Sequence, residues 1–429
     1  MKIKTITLSK KHLIISATAF LASTSFAQFP LADAWMLNTD GTLAEYDFYP
    51  GAPPTTQHEN MTDSADVLQI CIDNDYVYIR ANGLASYNMG PWEMNPNVPV
   101  KHENTYRFTR NPQEEMGAKE AQPAIGALGI AINGVKIYGV GDNKSYNSTD
   151  NENNSSGDGL WNGNAWFSEG ETLDDNGLGH ADFLGDYHYH ATPIAFYSGT
   201  GHSPIIGYAF DGFPIYGPYG YVDPFDAGSG TERMETGYAF RSITDRSTLP
   251  GGATSTPPGP PINATFPLGT YWEDYEFTGA GDLDEYNGRW CVTPEYPDTI
   301  YAYFITQDAS GEPEYPYIVG PEYFGSVISS EIGTASGSTV IPAGTSCDGG
   351  MGLNDENELS FEVYPNPANA LLTVSGINGG TYIIFDNLGR QVDAGTNGGQ
   401  INIEALTEGV YTLQLSIDNQ SSFKRFVKK

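Results

Sequence analysis

Tyr187-His188-Tyr189-His190 sets tyrosine and histidine in strict alternation. The chain holds seven histidines, and His180, His188, His190 and His202 crowd between positions 180 and 202. On a β-strand, successive side chains leave by opposite faces. Tyr187 and Tyr189 then share one face, while His188 and His190 share the other at roughly 7 Å backbone spacing. Two imidazoles so placed can converge on one transition-metal ion, such as Zn, Cu, Fe or Mn. Remaining ligands would come from His180, His202 or Asp211, with Asp182 and Asp186 also close in sequence. Gly179 suggests a tight loop that folds His180 back. An open coordination position would lower the pKa of a bound water and make it a nucleophile, the chemistry of a metallohydrolase; an oxidase is a further option. Without an ion, the same rings would pack across a sheet or offer a platform to a ligand.

A second group of oxygen-bearing side chains lies in Gly281–Gly288: Asp282, Asp284 and Asn287. It is a candidate for structural Ca, although it lacks the alternating spacing of an EF-hand and its sixth-position glycine. A turn held by Asx hydrogen bonds is the simpler reading. Asp284 or Glu285 would serve as an acid/base if the loop faces the histidines. A nucleophile elbow, a Walker loop, HExxH and a dinucleotide fingerprint are all absent from the sequence.

The elements that must position these residues are strands. Residues 67–83 form two β-favouring runs around Asn74-Asp75, and 125–140 repeat the pattern around Asn133-Gly134, a strong hairpin signal. Residues 204–221 do so around Asp211-Gly212, and Thr299–Ile305 alternates with period two. Long 3.6-residue periodicity is missing, so helices should be few and short. Residues 141–159 and 247–263 read as long loops, where sites are often built. The segment Thr299–Gln307, followed by Glu314–Gly320, looks like a degenerate second copy of Asp186–Pro193 followed by His202–Gly207. Its imidazole positions hold Ala302 and Phe304, so one ion per chain is expected.

Charge and targeting narrow the function. The chain has 20 Lys and Arg against 53 Asp and Glu, a net charge of −33. Such a field repels nucleic acid and anionic lipid. Residues 1–27 read as a signal peptide: Lys2 to Lys11 are basic, Leu13–Phe20 is largely apolar, and Ser25-Phe26-Ala27 gives a small-x-small cleavage site. Later apolar runs are too short for a transmembrane segment. Cys71, Cys291 and Cys347 permit one disulfide in an exported protein, with the pairing open. The 28 tyrosines and six tryptophans also suit a surface module that binds polysaccharide or mineral without catalysis.

Composition divides the chain into a β-rich domain at 28–325, a Ser/Gly/Thr-rich linker at 326–360 and a unit of six or seven short strands at 361–429. The last has the pattern of a small, immunoglobulin-like β-sandwich. Tyr364-Pro365-Asn366-Pro367, the turn Asp386–Arg390, Gly409-Val410-Tyr411 and the terminal lysine resemble the type A C-terminal sorting domain of the type IX secretion system. That resemblance implies the secretion machinery as a partner and a secreted or cell-surface location.

The middle of the chain resembles the YHYH-domain family from about Gly83 to Gly325. The residues that carry this are Gly90-Pro91-Trp92, Asn95-Pro96-Asn97, Gly126–Gly129 leading to Asn133-Gly134-Val135, Ser145-Tyr146 and Gly159-Leu160-Trp161. Gly179-His180, Tyr187–His190, His202–Gly207, Asp211–Gly217 and Asp282–Gly288 complete the match. The resemblance implies a β-rich extracellular domain centred on the histidine cluster, and it carries no established reaction.

Overall fold

The hairpins at Asn133-Gly134 and Asp211-Gly212 form, and they make the middle of an eight-stranded sheet. A computed structural model describes residues 34–348 and 361–429, apart from 52, 192, 194–195, 198, 200, 377–378, 386–389 and 418–419. The expected signal peptide therefore lies outside the described residues, as does most of the sorting-domain turn Asp386–Arg390. The strands of the central sheet are β1 (Ala127–Ala131), β2 (Lys136–Tyr138), β3 (Gly179–Ala181), β4 (Tyr187–Tyr189), β5 (Ile205–Ala209), β6 (Pro214–Tyr216), β7 (Gly288–Cys291) and β8 (Ile300–Phe304). Their order is β3-β4-β2-β1-β5-β6-β8-β7. Among the described residues the protein is mainly β, and its α-helix, α1, spans Ala165–Glu169.

This order is an internal repeat. In the first half, hairpin β1–β2 is joined by β4 parallel to β2 and by β3 antiparallel to β4. In the second half, hairpin β5–β6 is joined by β8 parallel to β6 and by β7 antiparallel to β8. The halves meet through the antiparallel β1–β5 pair. Gly129, Ala131, Gly134, Ile137, Tyr138 and Gly139 recur at one constant offset as Gly207, Ala209, Gly212, Ile215, Tyr216 and Gly217. Gly134 and Gly212 occupy equivalent positions in the two hairpin turns with φ of 79° and 89°, a conformation that favours glycine. Tyr189 pairs with Ile137, and Tyr303 pairs with Ile215. The copy read from Thr299–Gln307 is thus present in the sheet. Its continuation into Glu314–Gly320 is not: His202–Gly207 leads into β5, whereas the later segment forms only an isolated Tyr317–Val319 bridge.

The same bonds recur around the repeated tyrosines. Asn133 Nδ2 donates to Tyr189 Oη at 3.1 Å, and its Oδ1 accepts from the Val135 amide. At the equivalent turn, Asp211 accepts from Tyr303 Oη at 2.5 Å and from the Phe213 amide. Asp174 accepts from Tyr187 Oη at 2.5 Å, and Asp284 accepts from Tyr301 Oη at 2.9 Å.

β1, β5 and β8 are buried at every position. Thr299–Ile305 forms β8, as its period-two pattern implies, and structure covers both faces of the strand. Against β5 packs a second sheet of Val67–Ile72, Tyr76–Ala81, Asn104–Thr109 and Ser346–Asp348. Its Phe108 ring lies 6.2 Å from Tyr208 of β5.

The last of those strands corrects the expected linker. Cys347 pairs directly opposite Cys71, and the two form the disulfide. Gly333 donates to the Ala127 carbonyl at 2.7 Å, and fully buried Glu331 accepts from the Arg107 amide. Residues 326–348 thus belong to the core domain, held by backbone pairing that composition does not reveal; 349–360 lie outside the described residues. Cys291 is free and buried, and burial pushes its thiol up to about 11. Residues 361–429 form a separate β unit of one three-stranded and one four-stranded sheet. These share a core that includes Leu372, Ile384, Ile401, Leu413 and Phe426.

Burial holds the Asp211 carboxyl up at about 6 from its usual 3.8. A raised acid favours the fold fully below the lower value, and that contribution is lost as pH rises through the upper one. Asp211→Asn copies Asn133 of the first half and removes this dependence. It also leaves the Gly325 amide, now 2.9 Å from Asp211 Oδ2, without its acceptor. The variant should be less stable than wild type near pH 5, with the gap closing by about 1 kcal/mol near pH 7.5. Denaturant melts at the two pH values check this; parallel profiles would refute it.

Candidate metal centre

Cross-strand register, not a tight loop, delivers His180. It lies on β3 directly opposite His188 of β4, and His190 follows β4 by one residue. Gly179, opposite Tyr189, leaves room for the neighbouring ring: a Cβ there would come within 2.5 Å of the Tyr187 ring and 3.0 Å of the His188 carbonyl.

The two faces of β4 separate as alternation requires. On one, Tyr187 and Tyr189 lie within 2.8 and 2.9 Å of the Tyr87 hydroxyl. Trp92 stands edge-on to Tyr187, and its indole donates to the Gly179 carbonyl at 2.9 Å. On the other face, His188 Nε2 lies 3.1 Å from both His180 Nε2 and His190 Nε2. Among the described residues, these are the one group of three potential His, Cys, Asp or Glu ligands lying within 4.8 Å of one another.

The opposite ring nitrogens set the chemistry. His188 Nδ1 is 2.8 Å from the Asp186 carbonyl, and His190 Nδ1 is 2.8 Å from the Gly139 carbonyl. A carbonyl only accepts, so each Nδ1 carries hydrogen, and each Nε2 offers a lone pair whenever its ring is neutral. His180 Nδ1 lies 2.9 Å from Thr172 Oγ1. Tyr138 stacks on the His188 ring at 3.9 Å, and Lys136 forms a buried ion pair with Asp186. Outer contacts of this kind orient metal-binding imidazoles.

Burial, then the neighbouring imidazoles, holds His180 and His188 well below the usual histidine range. Burial opposes charge on His190 as well, but the Glu169 carboxylate outweighs it and raises that ring. Glu169 Oε2 lies 3.3 Å from His190 Nε2 and 3.6 Å from His180 Nε2. It ends α1, whose first turn is capped by Asn164 accepting from the Trp166 amide. The following turn, Gly170–Thr172, supplies Thr172. Sequence reading missed Glu169 and Thr172, since a five-residue helix leaves no periodicity to find.

The other expected ligands lie apart from this group. His202 packs against Tyr216, Tyr221 and Phe304 of the second half, and its Nδ1 reaches the Ser203 carbonyl. Asp211 sits in the second hairpin turn, occupied by Tyr303 and two backbone amides. Asp182 accepts from the Leu184 and Asp186 amides. The positions equivalent to His180, His188 and His190 hold Arg289, Ala302 and Phe304.

In the second acidic group, Asp282 accepts from the Glu235 amide, and Asp284 from the Tyr286 and Gly288 amides as well as Tyr301. Asn287 Nδ2 donates to the Phe304 and Ile318 carbonyls. Their hydrogen bonds are those of a turn in the second half of the repeat.

Gly179→Ala should force Tyr187 aside and cost about 1–3 kcal/mol of stability. Gly201→Ala, whose Cβ would meet nothing within 4 Å, should change stability by less than about 0.5 kcal/mol. Equal effects in thermal melts would exclude the steric argument at Gly179.

Two family models match the chain. One, described as YHYH protein, covers residues 105–315, and the other, a secretion system C-terminal sorting domain, covers residues 362–429. No curated protein matches. The described residues contain no helix long and apolar enough to cross a membrane. The tail directs export through the type IX secretion system, to the cell surface or into the medium. The family matches thus identify a YHYH domain at residues 105–315, which holds His188 and His190, followed by a type IX C-terminal sorting domain at residues 362–429.

Proposed function

We propose that this exported protein binds one transition-metal ion through the Nε2 atoms of His180, His188 and His190. The supporting observation is a buried group in which His188 Nε2 lies 3.1 Å from each of the other two and all three ligand atoms lie within 4.8 Å of one another, with the Nδ1 atoms of His188 and His190 committed to carbonyls. Two ligand atoms about 2.1 Å from one ion stand roughly 3.0–3.6 Å apart for angles of 90–120°, so the spacing suits a shared ion. Imidazole ligands favour Zn, Cu, Fe or Mn. The second half of the sheet offers Arg289, Ala302 and Phe304 instead, which supports one ion per chain.

A metal-free glycan- or mineral-binding surface is the second reading. A cleft of about 440 Å³ lined by Tyr238, Trp272, Tyr275, Phe277 and Tyr315 favours it by offering stacking faces.

Purified full-length protein, loaded separately with Zn, Cu, Fe and Mn salts and desalted, should retain close to one equivalent of at least one metal by elemental analysis. The His188→Ala/His190→Ala variant should retain less than about a tenth of that. Failure of wild type to hold any of the four overturns the metal reading. Retention by the double variant overturns the ligand assignment.

A further inference from the structure

We propose that Glu169 is the fourth protein ligand of this centre, making it a three-histidine, one-carboxylate site. The inference rests on the metal reading above and concerns a residue from a different element. Around the ring His188–His180–Glu169–His190, neighbouring ligand atoms are 3.1, 3.6, 3.3 and 3.1 Å apart. All four spacings fall within the range that two donors about 2.1 Å from one ion adopt.

Exposure gives Glu169 a distinct place. The side chains of His180 and His190 are 8% and 3% exposed, whereas that of Glu169 is 24% exposed. The carboxylate therefore forms the solvent-facing wall, and an ion enters past it. Charge supports the same assignment. Three neutral imidazoles leave a buried divalent ion with its full charge, and a carboxylate reduces that to one. A hard oxygen donor also shifts preference towards divalent ions and away from Cu(I). The 165–172 segment contributes both Glu169 and the Thr172 hydroxyl beside His180, so one short element closes the site.

The test uses Co²⁺ as a visible probe in full-length wild type, Glu169→Gln and Glu169→Ala. Both variants should bind Co²⁺ at least tenfold more weakly, with a shifted visible absorption spectrum. Their metal-free circular dichroism and thermal midpoints should stay close to wild type, which excludes misfolding as the cause. Wild-type affinity and spectrum in Glu169→Gln would overturn the proposal while leaving the three-histidine site intact. Failure of wild type itself to bind Co²⁺, Zn²⁺ or any other metal offered would overturn both readings.

Discussion

Two neutral imidazoles that each give a proton to a carbonyl through Nδ1 have only lone pairs left at Nε2. Facing one another at 3.1 Å in a buried site, those lone pairs repel unless positive charge stands between or beside them. His188 and His190 are so placed, His180 adds a third nitrogen, and the Glu169 carboxylate favours a proton on His190. Much of the surrounding structure serves to hold this arrangement. Tyr138 fixes one ring plane, Gly139 and Asp186 fix the tautomers, and Lys136 holds Asp186. Behind the strand, Tyr87 ties the two tyrosines together so that β4 cannot rotate.

The sheet explains why such a demanding arrangement is stable. Its two halves repeat the same hairpin, parallel addition and antiparallel edge. Each half anchors its tyrosines to an Asp before the edge strand and to an Asn or Asp in the hairpin turn. The second half keeps these anchors and replaces the histidines by Arg289, Ala302 and Phe304. The tyrosine scaffold therefore stands without the histidines, and the histidines occupy only the half where that scaffold is kept beside α1.

Strand alternation made the two faces of Tyr187–His190 legible, because it depends on neighbouring residues alone. The three hairpins were legible for the same reason, from their Asn-Asp, Asn-Gly and Asp-Gly turns. His180 was visible as a histidine close in sequence, yet its approach depends on β3–β4 register, which a loop reading could not supply. His202 and Asp211 were equally near in sequence but fold into the other half, where Tyr221 and Tyr303 engage them. Glu169 was hidden because its partners are chosen by tertiary packing. The linker reading failed at 326–348 because backbone pairing needs no apolar pattern in the segment that is paired.

The Cys71–Cys347 bond closes nearly the whole core domain, its ends 276 positions apart in sequence. Cys347 is the final cysteine and precedes the sorting unit. The bond cannot form until everything between the two cysteines has emerged from synthesis. Oxidation at this position thus marks completion: a chain truncated before Cys347 has no partner for Cys71 within the second sheet. The strand that brings Cys347 into place also ends the core just ahead of its export tag, so closure of the cargo and arrival of the tag come in succession along the same chain.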